Sequence, residues 1–253
     1  MAGGRDGCGG GGSRSRVKQL GRVPDGWSAR FDEPRSESDP VVAGAAALDL
    51  VPARPGEVLV MPLLTARGVT VGPATARQPG VLAALRAVPD LGEVRLSPIG
   101  GTIGPGGPEW LSLLMVARLP QPLARPLDVL LAVVRGTLER RLRRYGLELI
   151  PGKVAGAWCP GFSDLSVGGR KLVGVGFKLT REAALIRAVV GLRRPETAHL
   201  RALDLAHRAF GPGIASDRLT WLGELTGMPG LTQSEAISLV AGAGDPQPEK
   251  IWG

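Results

Sequence analysis

The chain has 253 residues, a net charge of +8 and a sequence pI near 10.4. Its 43% hydrophobic content and mean hydropathy of +0.09 belong to a folded protein with one sizeable core, and exclude a wholly disordered chain. No window holds the ~18 uninterrupted apolar residues of a membrane span. Two cysteines, Cys8 and Cys159, are too few for a disulfide framework, so a cytoplasmic protein is expected. The basic balance points to an acidic partner. Four Phe, one Tyr and five Trp are too few for base stacking to favour nucleic acid, and no membrane partner is expected.

Residues 1–16 are rich in Gly, Ser and Arg without an apolar stretch, and residues 17–38 read as a poorly structured lead-in. Asp39-Pro40 reads as an N-cap and first-turn proline opening an Ala-rich helix to about Leu50. Strands are predicted over Gly56–Leu63, Gly68–Gly72 and Glu93–Leu96, with a short helix at Val81–Val88. Glu109–Arg118 is apolar enough for a strand buried on both faces. The clearest helix runs from about Leu127 to Tyr145. Leu127, Leu131, Val134, Leu138 and Leu142 form its apolar stripe, and Gly146 follows as a C′ residue. The arginines off that stripe fit a solvated face or a docking patch for an acidic partner. Ser163 to Leu192 is strand-like, and helices near 196–210, 217–227 and 232–243 close the chain. Strands clustered mid-chain between helices predict an α+β fold, an α/β sandwich around a largely antiparallel mixed sheet.

The most informative stretch is Asp164 to Gly174. Gly168-Gly169 between alternating runs predicts a two-residue hairpin, because both central positions of a type I′ turn need positive φ. That turn pairs Val167 with Arg170, Ser166 with Lys171 and Leu165 with Leu172. Asp164, Ser166, Lys171 and Val173 then share one face. An ammonium on a rigid strand beside an acid and a hydroxyl is a point charge suited to phosphate or carbonyl oxygens. Gly174 and Gly176 leave room for a ligand to approach the backbone. The same pattern also fits a plain surface hairpin. Upstream, the Gly/Pro-rich run Ser97–Pro108 could present backbone N–H groups to an anion or be a long turn; without GxxxxGK[ST] it is not a Walker loop. His199 and His207, eight apart with no companion ligands, suggest no metal site. Cys159 reads as a small buried residue.

Taken together, Gly100-Gly101-Thr102, the Cys159-Pro-Gly-Phe-Ser-Asp164 approach and Gly169-Arg170-Lys171-Leu172-Val173-Gly174 resemble the lipoate-protein ligase and lipoyl/octanoyl transferase family, over roughly residues 38–245. Its fold is shared with biotin-protein ligases. The resemblance implies residues 1–37 as flexible tail and lead-in, 38–195 as a ligase-like catalytic core, and 196–253 as a C-terminal helical segment of the same or an accessory unit. It implies Lys171 as the catalytic residue contacting an acyl-adenylate. Gly100, Gly101, Thr102, Asp164 and Gly174 would bind substrate, with ATP and Mg2+ as cofactors and lipoate as substrate. The implied partner is an acidic lipoyl domain, of a 2-oxoacid dehydrogenase acyltransferase subunit or of the glycine cleavage H protein. The family's loop arginine and Ser/Thr would fall at Ser97 and Ile99. That departure keeps open a non-catalytic relative binding an acyl ligand or a lipoyl domain. Octanoyl transfer is a further alternative, although no cysteine follows Lys171.

Overall fold

A computed structural model of the chain describes residues 25–38, 44–121 and 123–241. Its strands are β1 (Ser28–Phe31), β2 (Arg35–Ser36), β3 (Glu57–Leu64), β4 (Gly68–Val71), β5 (Glu93–Leu96), β6 (Ile103–Gly106), β7 (Trp110–Arg118), β8 (Ile150–Pro151), β9 (Leu165–Val167), β10 (Arg170–Leu179) and β11 (Ala183–Gly191). The helices are α1 (Pro73–Ala76), α2 (Val81–Arg86), α3 (Pro126–Leu142), α4 (Thr197–Arg208), α5 (Leu222–Thr226) and α6 (Gln233–Ala241). The main sheet runs β1-β3-β7-β11-β10-β9-β8, with β2 also on β3. The pairs of β1 and β2 with β3 are parallel and the others antiparallel. A second sheet, β5-β4-β6, lies apart from it. This is the expected α+β architecture, a largely antiparallel mixed sheet flanked by helices.

Strand alternation sorts the core into two layers. On one face Val58, Val60, Leu111, Leu113, Met115, Ile186, Ala188 and Val190 meet Leu130, Leu131, Val134 and Leu138 of α3, and Ala236 and Val240 of α6. On the other face Leu59, Met61, Leu63, Leu114, Val116 and Leu185 form one cluster, while Trp110 and Val189 join Trp158, Trp221 and α4 residues in another. β7 is therefore buried on both faces, which is why its text is almost wholly apolar. Helix α3 starts on Pro126 and carries Asp128 in its first turn. Arg140 and Arg141 lie in its last turn, charges that match the helix dipole at each end. A 3-10 turn at Arg143–Tyr145 finishes it, and Gly146 follows at φ 65°.

Three expectations change. The lead-in is partly structured, because β1 and β2 pair with β3 at one end of the main sheet. The Ala-rich helix is 3-10 over Gly44–Leu50, and its expected Asp39-Pro40 start lies outside the described residues. The hairpin turn is as expected, with Gly168 at φ 57° and Gly169 at φ 74°, and Arg170 pairs Val167 while Lys171 pairs Ser166. Beyond that the register slips: Leu165 faces Val173 rather than Leu172. Two residues of β10 oppose one of β9, which is a β-bulge. Side-chain parity reverses there, so Lys171 shares a face with Gly174 and not with Val173, which joins Leu165 and Leu172 in the α3-side core.

Candidate functional site

The sheet face opposite α3 is where small residues cluster. A Cβ on Gly174 would lie 2.1 Å from the Trp158 ring and 3.1 Å from Lys171 Cε, and one on Gly176 would lie 2.7 Å from the Gly100 carbonyl. The bare backbone of β10 thus lets the Ser97–Thr102 loop and Trp158 come down onto the sheet. Between them opens a cleft lined by Thr70 and Gly72, the loop residues Gly100, Gly101 and Thr102, Trp158, Cys159, Gly174, Gly176, Arg187 and Val189. The loop is tied in place: Gly100 N–H donates to Phe177 O at 3.4 Å, and Gly72 N–H to Thr102 O at 3.0 Å. The glycine run is less of a loop than expected, since Ile103–Gly106 forms β6.

Lys171 stands behind this cleft. Its Nζ is fully buried and 2.7 Å from Asp164 Oδ1. It also donates to the carbonyls of Trp158 at 2.6 Å and Cys159 at 3.2 Å, and lies 3.7 Å from the centre of the Trp158 ring. Three acceptors use its three N–H bonds. Burial pushes the ammonium below its ordinary range, with the Asp164 charge and hydrogen bond opposing. Burial likewise pushes the Asp164 carboxyl up, opposed by Lys171 and by backbone donors. The ammonium, expected to contact an acyl-adenylate, is instead turned to Asp164 and two carbonyls; it is a buttress beneath Trp158 and Cys159. Nor does the Ser166 hydroxyl serve it, since that group donates to Ile150 O at 3.1 Å.

Cys159 is the residue whose placement differs most from expectation. It is half-buried rather than buried, and its sulfur accepts the Thr102 N–H at 3.1 Å on the cleft wall. Its backbone is held at φ 40°, a conformation rare for a residue with a Cβ. The Lys171 bonds to its own and the preceding carbonyl hold that geometry. Cys159 also borders a second, wider depression with Phe162, Phe177, Leu179, Phe210 and His207. His207 is 6% exposed, and its Nε2 has no hydrogen-bond partner among the described residues. Burial, then the nearby Lys171 charge, lowers its pKa to about 4, with Asp204 opposing.

Of the expected site residues, the structure brings Gly100, Gly101, Thr102 and Gly174 to one cleft and sets Asp164 and Lys171 in contact behind it. Sequence reasoning missed Trp158, the lid over Lys171, and Arg187. A signal for Arg187 was present: it is the one charge inside the apolar run Ala183–Leu192, on a strand buried on both faces. Among the described residues no three His, Cys, Asp or Glu side chains gather to hold a metal ion. No helix there is long and apolar enough to cross a membrane.

Comparison with known proteins points one way. No family model matches the chain. Ta0514 of T. acidophilum, proposed to be a lipoate protein ligase and solved with lipoic acid, superposes with a TM-score of 0.51 at 14% identity, covering 73% of this chain and 69% of that one. Lipoate-protein ligase A bound with ATP gives 0.52 at 15% identity over 73% and 70%. The fold is therefore that of lipoate-protein ligases. Among curated proteins, an Exiguobacterium octanoyl-[GcvH]:protein N-octanoyltransferase is 27% identical over 100 residues, 36% of this chain and 35% of that relative's length. The chain is thus similar to the lipoate ligase and octanoyltransferase group in both fold and sequence.

Proposed function

We propose that the protein is an acyltransferase that moves a medium-chain acyl group through Cys159 to a lysine of an acidic, lipoyl-type domain. The carrying observation is the Cys159 sulfur on the cleft wall, 3.1 Å from the Thr102 amide and held at a strained φ. In the first step the Cys159 sulfur attacks the acyl carbonyl of a thioester donor, the donor's carbon–sulfur bond breaks, and the proton that Cys159 gives up ends on the departing donor thiol. In the second, the acceptor amine attacks the Cys159 thioester, an amide forms, and the proton shed by the amine returns to the thiol. Lys171, bound to the Cys159 carbonyl, positions the nucleophile. The curated relative, named for moving an octanoyl group from octanoyl-[GcvH] to a protein, supports a transfer reaction with a protein acceptor.

A second reading, ATP-dependent lipoate ligation, is favoured by the ATP-bound structural neighbour. The cleft fits it less well. Arg187 is the single cation among the described lining residues, Lys171 is spent on Asp164 and two carbonyls, and Ser97 and Ile99 stand where the resemblance placed the loop's polar contacts. The proposed transfer uses neither a nucleotide nor Mg2+. Incubation with an octanoyl thioester should add one acyl mass to the wild-type chain, and Cys159→Ser should abolish stable labelling and lower transfer at least ~100-fold. Transfer that persists in Cys159→Ser and depends on ATP would replace the first reading by the second.

A further inference from the structure

Arg187 is an anomaly of the cleft wall. It projects from the middle of β11, opposite Gly176 on one side and Leu114 on the other, beside the apolar cluster of Leu63, Leu114 and Leu185. Its side chain is 12% exposed. Nη2 donates to Glu37 Oε1 and Nε to Ser112 Oγ at 2.9 Å. Glu37 does not belong to Arg187 alone: Oε1 also accepts the Thr70 hydroxyl at 3.2 Å, and Oε2 lies 3.0 Å from Arg95 Nε. One buried carboxylate is shared by two guanidiniums; the other acid on Arg95, Glu93, is 66% exposed and screened by water. Nη1 of Arg187 makes no bond among the described residues and keeps accessible surface.

We propose that Arg187 receives an anionic far end of the acyl group, so that the preferred substrate is a medium-chain acyl bearing a terminal carboxylate. This rests on the acyl-transfer reading of the same cleft. Neighbouring strands lie about 4.8 Å apart. A chain starting at Cys159 beside β10, crossing β11 and ending at the guanidinium between β7 and β3 spans roughly 10–15 Å, the reach of a medium-length acyl chain. A terminal methyl there would strip water from Nη1 and return nothing, whereas a carboxylate accepts its N–H bonds. Rejecting the plain chain and accepting the polar one use the same donor.

The test compares simple thiol esters of octanoic acid and of suberic acid (its eight-carbon dicarboxylic counterpart, esterified at one end) on the full chain. Mass spectrometry follows acylation of Cys159, with Arg187→Met as the variant. The suberyl ester should acylate wild type roughly tenfold faster or more, and Arg187→Met should erase or invert that ratio. Equal or better use of octanoyl by wild type would overturn the proposal, as would an unchanged ratio in the variant. If neither ester labels Cys159, the transfer reading fails, and calorimetry with free octanoate and the carboxylate-free octanamide, on wild type and Arg187→Met, still decides the subsite. Octanoate bound roughly tenfold more tightly by wild type alone upholds it, and equal binding of the two by wild type sinks it.

Discussion

Lys171 is 1% exposed on a strand of Val and Gly, and it survives there because Asp164 and two carbonyls complete its coordination. Its charge reaches His207, whose imidazole is held neutral mainly by burial and secondarily by that ammonium. The consequence for stability has a definite sign. Unfolded, this histidine takes up a proton near pH 6.5; folded, it does so only at about 4. The folded state is therefore favoured above pH 6.5, and that advantage drains away as pH falls toward 4, a total of about 3 kcal/mol. His207→Leu, which also removes the unpaired Nε2, should flatten this part of the profile. Denaturant unfolding of both proteins from pH 7 to pH 4 reads the contribution as a difference between them. A wild-type minus variant difference that stays constant across the interval would show that His207 is not kept neutral.

At the scale of the element, the hairpin explains both what was readable and what was not. The turn and the first two pairs follow from Gly168-Gly169, because glycine alone satisfies both positive-φ positions cheaply. The bulge at Leu172 has no such local marker. It is set by packing, since Leu172 and Val173 both enter the α3-side core, and only the extra residue lets them do so while Lys171 and Gly174 face the other way. Strict alternation thus paired Lys171 correctly with Ser166 and set Asp164 beside it, but put Val173 on the wrong face. The cost of a side chain at Gly174 measures how tightly that arrangement is packed. Gly174→Ala would put a Cβ 2.1 Å from the Trp158 ring, so the indole must move off Lys171. We expect a loss of about 1–3 kcal/mol, with a shift in tryptophan emission. Gly230→Ala, whose Cβ would meet nothing within 4 Å, should leave both unchanged. Equal effects at the two positions would mean that the Trp158 lid is loose.

At the scale of the whole molecule, hydrophobic patterning carried most of the architecture: the long apolar stripe of α3, the doubly buried β7 and the mid-chain cluster of strands all follow from period and burial. The cleft was legible only as motifs. Its walls come from segments far apart in sequence, Thr70, Gly101, Cys159 and Arg187, and no local pattern says that they meet. Charge is spread on another plan again. Residues 1–24 hold five basic side chains (Arg5, Arg14, Arg16, Lys18 and Arg22) against the single acid Asp6, which is half of the chain's excess of eight. Steering of an acidic acceptor acts through the summed field and weakens over a screening length of about 10 Å at 0.1 M salt. The KM for such an acceptor should therefore rise with ionic strength while kcat holds, because the long-range field acts on encounter and not on the bonds made at Cys159. A chain lacking residues 1–24 should show about half the salt slope at unchanged kcat, since the cleft residues all lie beyond that segment. Steady-state kinetics from 50 to 300 mM salt, roughly a 2.4-fold change in screening length, would check this. An undiminished slope in the shortened protein would assign the steering to folded surface charge, with the arginines in the last turn of α3 the first to substitute.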